Sequence, residues 1–193
     1  MKSIALLASC YVFAFSAAAQ NDGPAVATLP KNLQEKTQSL NPQYLVFSPK
    51  GEPKMVVPLL IYLHGAGGVG DDIRKIRGQV TPLTEGIAKF DKGPCIIVAP
   101  QCLKRSNAGG GWIPDDLNLL LDHLKATLKI DDKRIYLTGN SMGGYGSWAW
   151  GGHSPQRFAA IAPVSGGIGP GGPKDVTPHL DKCAKEGVKL TRC

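Results

Sequence analysis

The sequence predicts an α/β fold in which a mostly parallel sheet carries helices on both faces. An unbroken apolar run at residues 58–63 leads into a glycine-rich loop, as expected of a parallel strand that is buried on both sides. A second strand-like run at residues 134–138 leads into a glycine-flanked turn and then into a segment expected to be helical. Strand-like and helix-like segments alternate along the chain, which is typical of βαβ units.

The first half of the chain is expected to hold three strands and one helix. Residues 20–43 form a polar, proline-containing lead-in. A helix is predicted to begin at Thr81, with Thr81 as its cap and Pro82 at its first position, where the missing N–H of proline costs nothing. Turn-forming residues bound the strands, which are predicted at residues 44–48, 58–63 and 95–101.

The second half of the chain carries the best-marked helix. Pro114 is expected to start it, and Asp115 and Asp116 complement the positive end of its dipole. Its buried stripe is predicted to consist of Leu117, Leu120, Leu121, Leu124 and Leu128. Further strands are predicted at residues 134–138, at 158–164 and from residue 188, and further helices after residue 141 and at residues 177–187.

The turn after residue 138 has the G-x-S-x-G spacing of a nucleophile elbow, Gly139-Asn140-Ser141-Met142-Gly143. In such a turn the serine lies between a strand and a helix in a strained backbone conformation. Small residues two positions before and after the serine let the strand and the helix approach closely. The motif therefore predicts that Ser141 is a nucleophile and that both glycines are required by space.

The glycine-rich loop after residues 58–63 begins with His64-Gly65-Ala66-Gly67. Acyl transfer turns a carbonyl oxygen into an anion, and one rigid N–H donor aimed at that oxygen is worth roughly 3 kcal/mol. The expected donors are the backbone N–H groups of Ala66 in this loop and Met142 in the elbow.

The two motifs, in this order and at this separation, resemble those of the α/β-hydrolase superfamily. Within it the chain is similar to compact esterases of the phospholipase/carboxylesterase, dienelactone-hydrolase and polyhydroxybutyrate-depolymerase-like group, from about residue 44 to about residue 167. The resemblance implies a serine esterase with Ser141 as nucleophile and Ala66 and Met142 as its oxyanion hole. It also implies a small-molecule or polymeric carboxylic ester as substrate, and no cofactor.

The acid and the base of a catalytic triad are harder to assign. A serine hydroxyl needs a histidine to accept its proton and a carboxylate to orient that histidine, and the resemblance implies the chain order Ser, acid, His. One helix and the opening of one strand are all that is predicted after residue 164, so we expect residues 44–193 to form an incomplete domain that lacks the last strand–helix units. Asp175 and His179 satisfy the order, but a helix on a face of the sheet would hold them away from its carboxyl edge.

Two classes of function are therefore open. The first is a serine hydrolase that cleaves esters through an acyl-serine intermediate, with peptidase activity as a variant, and the second is a non-catalytic remnant or binding module of the same fold. A dinucleotide-binding site is a further alternative, because Gly65, Gly67 and Gly70 have the G-x-G-x-x-G spacing. It is disfavoured by Asp71 and Asp72 beside the loop and by the lack of an acidic residue after the next strand.

Other residues receive structural interpretations. An incomplete domain would leave the strand at residues 158–164 as an apolar edge, so we expect weak folding or aggregation. His64 is expected to organise the glycine-rich loop, His123 to lie on a helix surface and His153 to be structural. Trp112, Trp148 and Trp150 are expected in the core rather than in a substrate pocket.

The amino terminus resembles a secretory signal peptide at residues 1–19, with Lys2, an apolar run and small residues before the cleavage site. The protein is therefore expected to be secreted or periplasmic, with a lipid anchor at Cys10 as the alternative. The apolar run is too short to span a membrane. Removal of 19 of the 193 residues leaves 174, enough for one domain.

Charge and cysteines exclude several other classes. The net charge is +7, but the basic residues are dispersed among acidic ones, so no nucleic-acid partner is expected. Four cysteines follow the signal peptide and allow three pairings: Cys95, Cys102, Cys183 and Cys193. Cys95 and Cys102 would lie too far apart on one extended segment to pair with each other. No zinc-binding spacing is present, so no metal is expected.

Overall fold

A computed structural model of the chain describes residues 23–49, 55–89, 94–105, 111–167 and 189–190. The strands in these ranges are β1 (Ala25–Thr28), β2 (Leu40–Phe47), β3 (Val57–Leu63), β4 (Ile96–Cys102), β5 (Ile130–Asn140), β6 (Ala160–Val164) and β7 (Lys189–Leu190). The α-helices are α1 (Lys31–Gln34), α2 (Arg77–Ala88), α3 (Pro114–Thr127) and α4 (Met142–His153). Short 3₁₀ segments occupy Ala66–Gly68, Ile73–Ile76 and Pro155–Arg157.

The strands form one sheet in the order β1-β2-β4-β3-β5-β6-β7. The pairs β1–β2 and β2–β4 are antiparallel, whereas β4–β3, β3–β5, β5–β6 and β6–β7 are parallel. The predicted mostly parallel α/β sheet is therefore confirmed. Because β3 and β5 are neighbours, the loop after β3 and the turn after β5 emerge side by side at one edge of the sheet.

Helices cover both faces of the sheet, as predicted. Alternate side chains of a strand point to opposite faces. Ile61 of β3 packs in one apolar cluster with Leu117 of α3 and Trp150 of α4, whereas Tyr62 packs in a second cluster with Val80 of α2. The predicted α3 begins at Pro114 as expected, and four of its five predicted leucines are fully buried.

The start of α2 differs from the prediction. The helix begins at Arg77, not at Thr81, and Pro82 lies inside it as the sixth residue. The Thr81 hydroxyl does not cap the helix but donates a hydrogen bond to the Arg77 carbonyl oxygen one turn earlier, at 2.9 Å. Val80 explains the extension, because it is fully buried with Ile76, and this burial stabilises the turn that precedes the proline.

The predicted polar lead-in contributes to the sheet. Residues 20–43 include β1, α1 and the start of β2, and β1 pairs with β2 from Ala25 opposite Val46 to Thr28 opposite Gln43. Leu29 and Leu40 anchor this segment, since both are almost completely buried. The strand predicted at residues 44–48 is thus the second half of a longer one.

The expectation that β6 would be a bare sheet edge is wrong. β7 pairs with it in parallel, Ala160 opposite Lys189 and Ile161 opposite Leu190. The strand predicted to begin at residue 188 is confirmed at Lys189–Leu190, whereas the helix predicted at residues 177–187 lies outside the described residues. Cys95 and Cys102 are both free thiols and so do not pair with each other, as their spacing predicts. In the described part of the chain no helix combines the length and the apolar character of a membrane span.

Candidate active site

Ser141 forms a sharp bend between β5 and α4. β5 ends at Asn140, α4 begins at Met142, and Ser141 between them has φ 54° and ψ −115°. This backbone conformation costs an L-residue on the order of 1–3 kcal/mol. The bend is held by a bond from the Ser141 N–H to the Val164 carbonyl oxygen of β6, at 2.9 Å. Ser141 is exposed, so its side chain is available at the carboxyl edge of the sheet.

The two elbow glycines are required by space, as predicted. A Cβ atom on Gly143 would lie 1.8 Å from the carbonyl oxygen of Leu63 on β3. A Cβ atom on Gly139 would lie 2.4 Å from the carbonyl oxygen of Gly143. Backbone meets backbone at both places, so no side chain could move aside to make room. The absence of Cβ atoms is therefore what allows β3, β5 and α4 to converge at Ser141.

The glycine-rich loop after β3 lies against this bend. Gly65 directly precedes the 3₁₀ segment Ala66–Gly68. A Cβ atom on Gly65 would lie 3.7 Å from the Cβ of Ser141 and 3.4 Å from the carbonyl oxygen of Asn140. The structure thus brings together the two motifs that are separated by more than 70 residues in the sequence.

Hydrogen bonds fix the orientation of the peptide group between Gly65 and Ala66. The Gly65 carbonyl oxygen accepts bonds from the Nδ1 of His64, at 2.7 Å, and from the Gly68 N–H, at 3.0 Å. In a trans peptide the C=O and the N–H point in opposite directions, and none of the described peptide bonds is cis. The Ala66 N–H therefore points away from His64. Met142 is the first residue of α4, so its N–H has no acceptor within the helix.

His64 is a buried structural residue. Its Nε2 accepts a hydrogen bond from the Cys102 N–H at 2.9 Å and so carries no proton, which leaves Nδ1 as the donor to Gly65. Burial lowers its pKa to about 4, partly opposed by the bond to Gly65, so the ring is neutral near pH 7. The Trp112 ring packs edge-on against it, with ring centres 4.8 Å apart. The His64 ring thus links the loop, which it contacts through Nδ1, to β4, which it contacts through Nε2.

Acid is expected to destabilise the protein through His64. An unfolded histidine has a pKa near 6.5, so between about pH 6.5 and 4 the unfolded state binds a proton that the folded state does not. This contribution to stability is complete above pH 6.5 and is lost as the pH falls towards 4, by roughly 3 kcal/mol in all. Urea unfolding between pH 7 and pH 4.5 measures it. His64→Gln should flatten the pH dependence, and an unchanged slope in this variant would refute this role.

Gln101 anchors the far end of the same loop and was not predicted. Its Nε2 donates hydrogen bonds to the carbonyl oxygens of Gly68, at 2.8 Å, and Asp72, at 2.9 Å. Its Oε1 accepts one from the Nδ2 of Asn41, at 2.7 Å. Gln101 is fully buried at the end of an apolar strand. A polar residue in that position was the available signal, since buried amides need partners.

The described histidines other than His64 lie away from Ser141. His153 ends α4, and a helix of 12 residues is about 18 Å long, so the whole helix separates it from Ser141. His123 is half-buried rather than a plain surface residue and packs edge-on against Tyr44 of β2. In the sheet order, β4 and β3 separate β2 from β5. Asp175 and His179 lie outside the described residues.

The tryptophans are mainly core residues, as predicted. Trp150 is fully buried and donates a hydrogen bond from its Nε1 to the Oδ1 of Asn118 at 2.9 Å. Trp112 is also buried, and Trp148 is half-buried. The ring of Trp112 occupies space beside Gly146, where a Cβ atom would lie 2.5 Å from the indole.

The loop does not have the shape of a dinucleotide site. Gly70 is followed by the 3₁₀ segment Ile73–Ile76 and not by an α-helix that begins at the last glycine of the motif. The next strand ends in Gln101 and Cys102, where the motif requires a carboxylate for the ribose. The chain therefore lacks the two features that accompany a dinucleotide-binding fingerprint.

Similarities to known proteins agree with this geometry. No protein-family model matches the chain. The chain is 28% identical over 156 residues to the protein named "Probable feruloyl esterase C" from Aspergillus terreus, in an alignment that covers 79% of this chain and 56% of that protein. The solved structure of a thermostable esterase is 26% identical with a TM-score of 0.58, over 89% of this chain and 54% of the esterase. The chain thus spans just over half the length of these two proteins.

A further structural neighbour is the S-formylglutathione hydrolase of Staphylococcus aureus. It is 15% identical with a TM-score of 0.63, over 88% of this chain and 78% of that one. At this level of identity the similarity concerns the fold. The parallel sheet, the elbow at Ser141 and the loop beside it, together with these neighbours, show that the chain has the α/β-hydrolase fold of esterases and serine hydrolases.

Proposed function

We propose that the protein is a serine hydrolase that cleaves carboxylic esters, with Ser141 as its nucleophile. The observation that carries the proposal is the exposed, strained Ser141 at the bend between β5 and α4, directly beside Gly65. A residue held at this energetic cost on the carboxyl edge of the sheet is expected where function requires it. The names of the similar esterases support an ester as the bond that is cleaved.

In the proposed reaction the Ser141 Oγ attacks the carbonyl carbon of the ester, and the hydroxyl proton passes to a base. The carbonyl oxygen becomes an anion, for which the N–H groups of Ala66 and Met142 are the proposed donors. The C–O bond to the alcohol then breaks, the alcohol takes up the proton, and an acyl-serine remains. Water hydrolyses this intermediate and restores the Ser141 hydroxyl. Asp175 and His179 are the candidates in this chain for the acid and the base.

The substrate class is proposed from the similar proteins. An ester of a small alcohol or of a polymer is consistent with their names, and a feruloyl-type ester is the first to test. The resemblance of residues 1–19 to a signal peptide supports secretion or export to the periplasm, where polymeric esters are accessible.

A non-catalytic binding module is the second candidate. It is favoured by one observation, since none of the histidines in the described residues is placed to accept the Ser141 proton. Without such a base the hydroxyl would remain a weak nucleophile. The same surface at the elbow would then bind esters without turnover.

A fluorophosphonate probe tests the proposal. Attack by the activated Ser141 Oγ on phosphorus expels fluoride and leaves a stable adduct, which peptide mass spectrometry locates. We expect a single adduct on Ser141 together with turnover of p-nitrophenyl acetate and methyl ferulate. Folded protein, judged by a cooperative thermal transition, that neither takes up the probe nor turns over ester would support the binding module instead.

A further inference from the structure

Gln79 contacts the loop that carries the proposed oxyanion donor. It is the third residue of α2, on the opposite face of the sheet from α4, and its side chain is half-buried. Its Oε1 accepts a hydrogen bond from the Gly65 N–H at 2.9 Å. The assignment of oxygen and nitrogen in this amide is fixed by the partner, because a backbone N–H can only donate.

The bond completes a set of restraints on Gly65. His64 Nδ1 and the Gly68 N–H hold the Gly65 carbonyl group, while Gln79 holds its N–H group. Each of the two peptide planes that flank Gly65 is therefore held by at least one hydrogen bond. The plane between Gly65 and Ala66 carries the Ala66 N–H. Because this plane meets the preceding one at the Gly65 Cα, the direction of the Ala66 N–H also depends on how the preceding plane is held.

The Gln79 side chain also lies close to the nucleophile. A Cβ atom placed on Gly65 would be 3.4 Å from Gln79 Oε1 and 3.7 Å from the Cβ of Ser141. The two atoms are thus at most about 7.1 Å apart. On the other side, Gln79 Nε2 is 3.7 Å from the position of a Cβ on Gly67, and it donates no hydrogen bond within the described residues. The amide of Gln79 is therefore near enough to Ser141 to interact electrostatically with charge that develops there in the proposed reaction.

We infer that Gln79 is a positioning residue that orients the Ala66 N–H through Gly65, and that this position requires a neutral acceptor. The inference rests on the proposed function, because it concerns the loop that would hold the oxyanion. A misplacement of about 1 Å in a catalytic group can reduce a rate by as much as 100-fold. Loss of one of three restraints on Gly65 is therefore expected to lower kcat about tenfold and to change KM much less.

Two substitutions that keep the approximate shape of the Gln79 side chain distinguish the effect of its hydrogen bond from the effect of charge. Gln79→Met removes the acceptor and keeps the length of the side chain. Gln79→Glu keeps an oxygen for the Gly65 N–H, but its carboxylate adds a negative charge beside the developing anion. We expect Gln79→Met to lower kcat about tenfold at every pH. We expect Gln79→Glu to lower it roughly 30-fold at pH 8 and progressively less as the pH falls and the carboxyl becomes protonated.

The matched control is Gln43→Glu, which makes the same charge change on an exposed residue of β2. Its rate relative to the unmodified protein should not vary with pH. If Gln79 had a purely structural role, its substitution would alter stability. The kcat of Gln79→Glu relative to that of the unmodified protein would then not vary with pH. Thermal unfolding of each variant measures the stability in parallel.

Amide hydrogen exchange at Gly65 gives a measurement that needs no catalysis. We expect the exchange of this N–H to accelerate at least tenfold in Gln79→Met and to remain slow in Gln79→Glu. If the unmodified protein forms no fluorophosphonate adduct, the proposed function fails, and Gly65 exchange alone decides whether Gln79 holds the loop. If the adduct forms, unchanged rates in both Gln79 variants, or unchanged Gly65 exchange in Gln79→Met, overturn the inference.

Discussion

Ser141→Gly is expected to abolish ester hydrolysis and at the same time to make the protein more stable. Removal of the nucleophile should lower kcat by roughly 10⁴-fold or more. The backbone at Ser141, with φ 54° and ψ −115°, is strained for any residue with a Cβ but not for glycine. Relief of this strain, on the order of 1–3 kcal/mol, exceeds the added freedom of glycine in the unfolded chain, which costs about 0.4–1 kcal/mol. A net gain of about 1 kcal/mol in the free energy of unfolding should appear in urea titrations.

Ser141→Ala separates the two effects. Alanine keeps the Cβ and therefore the strain, so its stability should stay within about 0.5 kcal/mol of the unmodified protein while activity and probe labelling disappear. Ser165 provides a matched control, since it is also exposed and has a φ of 50° just after β6. Ser165→Gly should stabilise the protein without loss of turnover. Residual hydrolysis in Ser141→Ala, or no gain in stability in Ser141→Gly, would contradict the assigned role of the elbow.

The parts of the fold that are buried on both sides could be predicted from the sequence. β3 and β4 are largely apolar runs, and α3 shows leucines at helical spacing, so the local pattern of each element predicts its burial. The elbow could be predicted because its two glycines are required by close backbone contacts within and beside the motif itself. β1 could not be recognised in the same way, since three of its four residues are exposed and its pairing with β2 depends on the main chain.

Contacts between distant segments explain most of the other differences. Asp116 lies in the first turn of α3, as predicted, but it is also buried and accepts hydrogen bonds from the backbone N–H groups of Gln38, at 2.9 Å, and Ser39, at 2.8 Å. It ties the start of α3 to the segment before β2, 77 residues away. Gln79 and Gln101 hold the glycine-rich loop in the same manner. A local pattern can mark such a polar residue, as it does Gln101, but it does not identify the partners, because these are backbone groups that any sequence supplies.

Gly143→Ala is expected to prevent the chain from adopting a stable fold. The added Cβ would lie 1.8 Å from the carbonyl oxygen of Leu63, 2.4 Å from its carbonyl carbon and 2.9 Å from the carbonyl oxygen of His64. Gly143 does not have a positive φ, so the requirement is for space and not for an unusual conformation. To relieve the contact, α4 would have to move away from β3 by more than 1 Å, which would open the core around Met142 and Trp150. We expect a loss of about 4 kcal/mol or more in the free energy of unfolding.

Gly86→Ala in α2 is the matched control for this substitution. It makes the same chemical change within a helix, but a Cβ on Gly86 would meet nothing within 4 Å. Alanine has a higher helix propensity than glycine, so this variant should be more stable by about 0.5–1 kcal/mol. Urea unfolding followed by circular dichroism, together with the yield of monomer in size-exclusion chromatography, distinguishes the two. If Gly143→Ala unfolded at the same urea concentration as Gly86→Ala, the close approach of α4 to β3 would be refuted, and with it the placement of Ser141 at the edge of the sheet.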